Sequence, residues 1–434
     1  MSEKSKVSIF WFRRDLRLKD NIGLLKALES DFPVLPIFIF DKEILGKLEN
    51  RQDRRVDYFW QALQAINAKL KEKGSRLTTF FGTPPAVFKS LSANYNIQAV
   101  FCNRDYEPDA IKRDKEIYTY FKEKNILFKA FKDQVIFDKS QVVKDDGNPY
   151  IVYTPYAKKW RKTLQKSDYE SVRMNWQNLF QQSFKKIHSL KDIGFEETDM
   201  KFIQPTIESE IIDEYDKTRD FPAENGTTRL GIALRFGTIS IRKCVAFGLK
   251  HNDIWLSELI WREFFMQILY HFPKVVNQAF KSKYDAIEWR NNEKEFLLWC
   301  RGETGFPLVD AGMRQLNKTG YMHNRVRMVV ASFLVKDLLI DWRWGEAYFA
   351  EKLNDYELAS NNGNWQWIAG CGCDAAPYFR IFNPTTQIKK YDKDYEYIQK
   401  WVPEIGTVDY PEPIVIHKKA RERALSAYKK AVKD

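Results

Sequence analysis

Short apolar runs alternate with amphipathic stretches over the first part of the chain, up to about residue 137. The runs are rich in β-branched and aromatic residues, which predicts strands at residues 7–12, 34–40, 76–81, 97–102 and 126–131. The stretches between them repeat apolar residues at helical spacing, which predicts helices at residues 21–28, 54–73, 84–91 and 110–123. Strands that alternate with helices form parallel sheets, so residues 1–137 are predicted to be an α/β domain with a doubly wound parallel sheet.

The hydrophobic pattern changes in the rest of the chain. It is polar and irregular between about residues 165 and 205, which predicts an interdomain connection over residues 138–205. From there the helical period returns, so residues 206–434 are predicted to form a larger all-α domain. Its long helices are expected at residues 253–272, 308–316, 322–340 and 345–353. Residues 417–433 predict a basic helix at the surface, and solvation alone explains its charge.

The length of the chain supports more than one domain, and its composition gives it a net positive charge. A chain of 434 residues exceeds the usual size of a single hydrophobic core. Its 70 Lys and Arg against 58 Asp and Glu give a net charge of +12, which favours polyanions such as nucleic acid or an anionic membrane surface. High solubility explains the same charge equally well. The 31 Phe, 21 Tyr and 13 Trp exceed what a core requires.

The five cysteines are odd in number and mostly scattered, which predicts a reduced cytoplasmic protein. Only Cys371 and Cys373 lie close together, and without further ligands a buried turn is expected there rather than a metal site. No signal pattern and no run of membrane-spanning length is present, so no membrane partner is expected.

The chain lacks the common motifs of hydrolytic enzymes, such as Gly-x-Ser-x-Gly and His-Glu-x-x-His, so a cofactor would have to supply the chemistry. Residues 226–231 have the glycine spacing of a phosphate loop, but Ile232 and Ala233 stand where that loop needs Lys and Ser or Thr. The Gly-Thr-Thr at its start still suits a phosphate, although an ordinary helix cap is the commoner structure.

Two predicted helices carry polar stripes. Helical spacing puts four residues on one face of the first: Glu258, Trp261, Arg262 and Phe265. The same spacing joins three residues of the second: Asn324, Arg327 and Met328. Either stripe has two explanations, a functional site or a buried polar cluster whose hydrogen bonds are satisfied.

Trp365 and Trp367 lie two residues apart, which in a helix separates them by about 200° and predicts that they serve different surfaces. They suit either the packing of two cores or a flavin site beside a base pocket. In the second case one ring continues an electron path and the other is a platform for a stacked base.

Long motifs resemble the photolyase and cryptochrome family over nearly the whole chain. Residues 10–17 read Phe-Trp-Phe-Arg-Arg-Asp-Leu-Arg, residues 258–264 Glu-Leu-Ile-Trp-Arg-Glu-Phe, and residues 319–328 Thr-Gly-Tyr-Met-His-Asn-Arg-Val-Arg-Met. Residues 361–367 read Asn-Asn-Gly-Asn-Trp-Gln-Trp, and residues 374–384 Asp-Ala-Ala-Pro-Tyr-Phe-Arg-Ile-Phe-Asn-Pro. The chain resembles in particular the class I cyclobutane pyrimidine dimer photolyases.

The resemblance implies an FAD in a U shape within the helical domain, in contact with Tyr215, Thr227, Thr228, Arg229, Leu230, Arg262, Arg327, Asp355 and Asn361. Arg327 would pair with Asp355 beside the ring, and Asn361 would face the reactive nitrogen. Gly231 departs from the family, since many relatives carry Ser there. Gly231 therefore lacks the side-chain hydroxyl with which Ser would contact a phosphate.

The resemblance further implies light-driven repair of DNA. Excited reduced FAD would pass an electron to a flipped-out dimer and take it back after the cyclobutane ring splits. The residues implied at the dimer are Glu258, Trp261, Asn324, Met328 and Trp367. Those implied at the flanking phosphates are Arg219, Arg325 and Arg380, and those implied in electron transfer to the flavin are Trp365, Trp342 and Trp289. The expected partner is damaged DNA, single- or double-stranded, and the expected state is a monomer.

Subfamily features favour repair over signalling. Asn361 matches photolyases, whereas cryptochromes tend to carry Asp or Cys there, and Asn324 stands where the (6-4) enzymes place a second His. The alternatives are a light-signalling flavoprotein without repair activity and a nucleic-acid-binding module without flavin. Residues 102–107 resemble a segment that lines an antenna site, with Glu107 as the expected contact. The antenna would be a folate, a deazaflavin or a flavin, or would be absent.

Overall fold

The computed structural model describes residues 4–433, which divide into two compact units. The sheet unit contains residues 4–141, 164–207 and 230–247. The helical unit contains residues 142–163, 208–229 and 248–433. The units therefore do not follow the predicted boundaries at residues 137 and 205. The segment predicted as a connection is shared between them.

The sheet has five parallel strands in the order β3-β2-β1-β4-β5. The strands are β1 (Lys6–Phe12), β2 (Val34–Asp41), β3 (Thr78–Gly82), β4 (Asn96–Asn103) and β5 (Leu127–Phe131). All five predicted strands are present, with ends shifted by at most two residues.

The helices are α1 (Ile22–Leu28), α2 (Lys42–Leu45), α3 (Arg54–Lys71), α4 (Pro84–Asn94), α5 (Pro108–Lys122), α6 (Tyr153–Thr163), α7 (Lys166–Tyr169), α8 (Ser209–Asp213), α9 (Tyr215–Thr218), α10 (Gly231–Arg235), α11 (Ile241–His251), α12 (Asp253–His271), α13 (Glu293–Arg301), α14 (Pro307–Thr319), α15 (Asn324–Ser332), α16 (Trp342–Lys352), α17 (Leu358–Ala369), α18 (Pro384–Tyr391), α19 (Glu396–Trp401) and α20 (His417–Lys433). Short 3-10 helices lie at Lys191–Ile193, Pro273–Val276 and Ser282–Ala286, and a π-helical segment lies at Phe333–Asp337.

Both faces of the sheet are buried. Every residue of β1 from Val7 to Phe12 is buried, and alternate side chains enter two different apolar clusters. One cluster contains the apolar faces of α1 and α3, and the other those of α4 and α5. Helices on both faces of a parallel sheet define a doubly wound α/β fold, so the predicted fold of this part of the chain is confirmed.

The irregular stretch after residue 164 is not a loose connection. Leu179 pairs with Val34 at the start of β2, and the backbone of Val34 exchanges hydrogen bonds of 2.8 Å with Asn178 and Phe180. Leu190, Ile193 and Phe195 are buried in the same cluster as α1 and α3. These apolar residues follow no helical or strand period, and the hydrophobic pattern for this reason did not show their burial.

A buried ion network joins the loops at the carboxyl end of the sheet to α11. The carboxylate of Asp133 accepts hydrogen bonds from Arg17 at 2.5 Å and from Arg242 at 2.8 Å. Arg242 also pairs with Asp20 at 3.0 Å. Burial alone would raise the pKa of Asp133, but the charges of Arg17 and Arg242 outweigh it and hold that pKa below its usual value. The charged form of Asp133 therefore stabilises the fold.

Asp133→Asn should lower the free energy of unfolding of the sheet unit by about 3–5 kcal/mol at neutral pH, because it takes the carboxylate partner from buried Arg17 and one of two carboxylate partners from Arg242. A depressed carboxyl pKa adds stability above the unfolded pKa of about 4 and loses it as the pH falls, so the variant should also be less sensitive to acid. Denaturant unfolding monitored by circular dichroism tests both points. The control is Asp199→Asn, which removes an exposed pair with Arg54 and should cost under about 1 kcal/mol. Equal midpoints for the two variants would contradict the prediction.

The helical unit packs around one large apolar cluster that includes α14, α15, α16 and α17. The helix predicted over residues 322–340 is shorter than expected: α15 ends at Ser332 and continues as the π-helical segment. His323 precedes α15, and its Nδ1 accepts a hydrogen bond from the backbone of Arg325 at 3.1 Å. The π-helical turn buries both Lys336 and Asp337, which an uninterrupted helical period does not indicate.

The basic helix at the end of the chain is not only a surface helix. Ala420, Ala424, Tyr428 and Ala431 lie on one face of α20 and are buried, and Tyr428 and Ala431 belong to the apolar cluster of the helical unit. His417 at its start pairs with Asp337 at 2.5 Å. The helix is amphipathic, but its apolar face consists mainly of alanine and is for this reason weak in the sequence pattern.

All five cysteines are free and buried. Among residues 4–433, no group of three or more His, Cys, Asp or Glu side chains could hold a metal ion. None of the helices in this range is long and apolar enough to cross a membrane.

Candidate functional site

A cavity of about 420 Å³ opens in the helical unit. It lies between α12, α15 and α17, with further contributions from α16 and from the loop before α17. Its lining residues are Arg219, Glu258, Trp261, Arg262, Phe265, Asn324, Arg327, Met328, Ala331, Phe349, Leu353, Asp355, Tyr356, Glu357, Ser360, Asn361, Asn364, Trp365, Trp367 and Ile368.

All four residues of the predicted α12 stripe line this cavity. Arg262 is held by two hydrogen bonds of 2.9 Å to the carboxylate of Glu357, and both side chains are largely buried. The pair fixes the guanidinium at the cavity wall. The stripe is therefore part of a concave site and not of a closed polar cluster.

The α15 stripe lines the same cavity. Arg327 donates to Asp355 at 2.9 Å and to the backbone oxygen of Met322 at 2.7 Å, so the predicted pair is present. The second oxygen of Asp355, Oδ1, is buried and has no hydrogen-bond partner among the residues that the structure describes. Asn324 is exposed and Met328 is half-buried. Two polar stripes from separate helices thus meet at one site.

A tyrosine supports the ring of Trp261. Tyr153, in the first turn of α6, stacks on this ring with a centroid separation of 3.6 Å and an interplanar angle of 7°. Its hydroxyl donates to the backbone oxygen of Ser257 at 3.0 Å. One face of the indole is therefore covered by Tyr153, so a ligand could stack only on the other face.

Trp365 and Trp367 both line the cavity, so the prediction that they serve different surfaces is wrong. Six residues of α17 contribute to the lining, and at about 100° per residue they cover a continuous arc of about 160°. The two tryptophans mark its two edges. An angle of 200° measured one way round a helix is 160° the other way, and a wide cavity covers that arc.

Asn361 has a fixed orientation on α17. Its amide nitrogen donates to the backbone oxygen of Glu346 at 3.1 Å and to the Glu346 carboxylate at 2.9 Å. Burial raises the pKa of Glu346, although the hydrogen bond from Asn361 opposes the shift. The amide oxygen of Asn361 is the polar atom left to meet a ligand in the cavity.

The three predicted electron-transfer tryptophans belong to the helical unit. Trp365 is 2% exposed, and its ring contacts Phe349 with a centroid separation of 5.0 Å. Trp342 is equally buried and lies on α16, three residues before Gly345. A Cβ at Gly345 would fall 2.1 Å from the Trp365 ring, so this face of α16 packs directly against Trp365. Trp289 is half-buried.

Gly363 allows α17 to approach α12. A Cβ at this position would fall 2.2 Å from the ring of Phe265, which packs in turn against Trp261 with a centroid separation of 5.5 Å. Gly363→Ala should therefore displace both rings and lower the free energy of unfolding by about 1–3 kcal/mol. Thermal unfolding tests this prediction with the exposed neighbour Asn364→Ala as the control. Wild-type stability of the glycine variant would contradict the predicted close packing.

Four of the five residues predicted on the phosphate side of the cofactor lie in the helical unit, namely Tyr215, Thr227, Thr228 and Arg229. Thr227 shares a hydrogen bond of 3.2 Å with the hydroxyl of Tyr321, and the guanidinium of Arg229 lies 5.2 Å from the same ring. Neither threonine caps α10. The fifth residue, Leu230, is buried in the sheet unit.

Two of the three arginines predicted to bind phosphates are paired with carboxylates. Arg219 donates to Glu258 at 2.6 Å, and Arg325 donates to Asp220 at 2.6 Å. Burial raises the pKa of Glu258, and the charge of Arg219 opposes the shift.

The third arginine, Arg380, is exposed and lies 5.8 Å from the ring of Trp367. It is thus near the cavity.

The predicted antenna contact, Glu107, lies in the sheet unit. There Glu107 pairs with Arg14 at 2.8 Å and with Arg235 at 3.2 Å.

The sequence reasoning missed four residues that shape this site, namely Tyr153, Tyr321, Glu346 and Glu357. Glu357 had a physical signal, because a largely buried arginine such as Arg262 requires a carboxylate partner. Tyr153 had none, since it lies in the stretch predicted as a connection. Glu346 and Tyr321 hold predicted residues in place and stand on no predicted polar stripe.

Family models match two parts of the chain. One, described as the FAD binding domain of DNA photolyase, matches residues 255–409, and one described as DNA photolyase matches residues 8–174. The first range includes all lining residues of the cavity except Arg219.

Individual proteins match over almost their full lengths. A deoxyribodipyrimidine photo-lyase from Agrobacterium fabrum is 37% identical, with 99% of this chain and 98% of the relative covered. The crystal structure of a bacterial class III photolyase from Agrobacterium tumefaciens superposes with a TM-score of 0.87 at 34% identity and covers 100% of this chain and 99% of its own. An archaeal photolyase from Sulfolobus tokodaii, solved with two FAD molecules, gives 0.85 at 36% identity and covers 98% and 100%.

Proposed function

Since this chain belongs to the DNA photolyase family of FAD-binding enzymes, we propose that it repairs cyclobutane pyrimidine dimers in DNA with the energy of light. The observation that supports this most is the meeting of five side chains at one cavity, Glu258, Trp261, Asn324, Met328 and Trp367. They combine two aromatic platforms, two polar groups for base edges and a flexible apolar side chain. A pocket for two adjacent, extruded bases of one strand requires groups of these kinds.

The residues of the cavity fit FAD. Asp355 offers a buried oxygen without a partner, which suits a donor of the isoalloxazine ring, and the neighbouring Arg327 supplies a fixed positive charge. Arg262 and Asn361 would complete the ring side, and Tyr215, Thr227, Thr228, Arg229 and Leu230 would serve the phosphate side. When bound, the reduced cofactor supplies the excited electron for ring opening and takes it back.

The protein side chains hold the dimer. Trp261 would stack on one base with the face that Tyr153 leaves open, and Trp367 would provide a second wall. Asn324 is exposed at the cavity and offers both donors and an acceptor to base edges. Glu258 would hydrogen-bond the same edges, and Met328 would fill the remaining space.

Arg219, Arg325 and Arg380 would bind the phosphates that flank the extruded dimer. The net charge of +12 favours this contact and predicts that binding weakens with salt. We propose that the protein acts as a cytoplasmic monomer on single- or double-stranded DNA.

Trp365, Trp342 and Trp289 would deliver electrons to the cofactor when it is oxidised. The packing of α16 on Trp365 supports the first step, because Trp342 lies on the same face of α16 as Gly345. An antenna pigment near Glu107 stays a prediction, and so does its identity as a folate, a deazaflavin or a flavin. The assignment to class I also stays a prediction, since a similar solved structure is that of a class III photolyase.

Repair of defined oligonucleotides tests the proposal. Protein loaded with FAD and fully reduced should remove thymine dimers under blue light and not in the dark, and should leave (6-4) products unrepaired. No dimer repair in light would favour a signalling flavoprotein, the alternative function of this fold. Purified protein without bound flavin would favour a simple nucleic-acid-binding module.

A further inference from the structure

Two residues assigned to different parts of the substrate form an ion pair with each other. Arg219, predicted to bind a DNA phosphate, donates to Glu258, predicted to bind a base edge, at 2.6 Å. Both line the cavity, where the Glu258 side chain is 35% exposed and that of Arg219 is 24% exposed. An incoming phosphate and an incoming base therefore compete with an existing ion pair.

The exchange changes the balance of charge at Glu258. A phosphate on Arg219 replaces the carboxylate as its anionic partner, so Glu258 would be left between a desolvated base and the protein without its cation. A carboxylate in that position accepts hydrogen bonds only, whereas a carboxyl group can donate one to a base carbonyl.

We propose that binding of a dimer replaces the Arg219–Glu258 ion pair with an Arg219–phosphate contact and that Glu258, once released, takes up one proton from the solvent. This inference rests on the proposed function, since it assumes that a dimer enters this cavity. One hydrogen bond to the carboxylate breaks, one to the phosphate forms, and the proton comes from the buffer. No electron moves in this step. Glu258 then donates a hydrogen bond to the dimer.

The charged groups around Glu258 support the uptake of a proton. Burial raises the pKa of Glu258 and Asp220 raises it further, while the charge and hydrogen bond of Arg219 oppose both effects. Arg262 lies on the same helix as Glu258, but its guanidinium is already bound to Glu357. Loss of Arg219 to a phosphate therefore removes the group that opposes protonation.

The remaining neighbours do not replace Arg219. Tyr153 on α6 and Tyr215 on α9 have pKa values that burial raises, so both stay neutral near pH 7. Burial lowers the pKa of His323, next to α15, to about 4, so this ring also stays neutral. Arg327, also at the cavity, is paired with Asp355.

The linkage has a defined sign. The pKa of Glu258 would be lower in the free protein, where Arg219 is bound to it, and higher in the complex. Affinity for the dimer should then be constant below the lower value, fall by about tenfold per pH unit between the two values, and be constant again above the higher value.

Calorimetric titration of the FAD-loaded protein in the dark tests the inference. A dimer-containing oligonucleotide is titrated between about pH 5 and 8 in pairs of buffers that differ in ionisation enthalpy, which yields the number of protons taken up. We expect a maximum near one for the wild type. Glu258→Gln, which mimics the neutral carboxyl group, should bind the dimer without this proton uptake and with little pH dependence.

Asp253→Asn is the matched control, because it removes an arginine pair of the same length, 2.6 Å to Arg161, from the same helix but outside the cavity. Its proton uptake should equal that of the wild type. Dimer-specific binding without proton uptake, or equal uptake in Glu258→Gln, would overturn the inference while the proposed function stands. Failure to prefer dimer-containing over undamaged DNA at any pH would instead count against the proposed function, and with it against this inference.

Discussion

Trp365→Phe is expected to remove most of the light-driven reduction of bound FAD and to leave dimer repair by chemically reduced protein close to the wild-type level. Trp365 lies at the edge of the cavity and is 2% exposed, and α16, the helix that carries Trp342, packs against its ring at Gly345. A phenylalanine keeps an apolar ring in this space but is far harder to oxidise than an indole. Absorbance of the flavin under blue light with an external reductant measures the loss.

Trp299 provides the matched control for this prediction. It is fully buried and also contacts Trp365, with a centroid separation of 6.3 Å, but it is not one of the three proposed electron-transfer residues. In the Trp299→Phe variant, light should therefore reduce the bound FAD at nearly the wild-type rate. Equal losses in the two variants, or a parallel loss of repair by the reduced Trp365→Phe protein, would argue against the proposed path.

Trp261→Ala is expected to weaken binding of dimer-containing DNA by about 1–3 kcal/mol, the usual contribution of one stacked base. This corresponds to a dissociation constant about 5 to 150 times higher. Tyr153 already covers one face of the indole, so the loss reports on a single open face. Fluorescence anisotropy with reduced protein in the dark measures it.

The specificity of that loss is as informative as its size. Affinity for an undamaged oligonucleotide should barely change, because the phosphate contacts remain. Tyr153→Phe retains a stacking ring and should bind the dimer nearly as the wild type does. An unchanged affinity of Trp261→Ala for the dimer would place the lesion pocket elsewhere.

The sheet unit could be predicted well because its signals are local. Each residue of β1 from Val7 to Phe12 is buried on one face of the sheet or the other, which gives a continuous apolar run. Helices α3 and α5 show the helical period on their buried faces. In strands and helices of this kind, the local hydrophobic pattern is enough to predict which residues are buried.

The segments that were predicted wrongly owe their structure to distant partners. Leu179 is buried because it extends the pairing of β2, and nothing in its neighbourhood forms a period. The end of α15 changes to a π-helical turn where Lys336 donates to the backbone oxygens of Ala369 and Tyr378. Such contacts depend on residues more than thirty positions away.

The candidate site divides in the same manner. Stripes on α12 and α15 were visible because helical spacing gathers their residues within one element. The partners that hold these residues are on other elements, as Glu357 is for Arg262 and Tyr153 is for Trp261. In such cases the sequence gives only the types of the two residues. The contact between them depends on the tertiary structure.

Single-turnover repair by the fully reduced, FAD-loaded protein tests the central claim most directly, namely that light drives dimer repair without net oxidation or reduction. A short blue-light pulse is given anaerobically to the protein bound to a dimer-containing oligonucleotide, and repaired strands and oxidised flavin are both counted. After illumination we predict repaired strands and a flavin that is still reduced. In the dark we predict no repaired strands and no oxidised flavin. Flavin oxidised in proportion to the strands repaired, or no repair after illumination, would contradict the account.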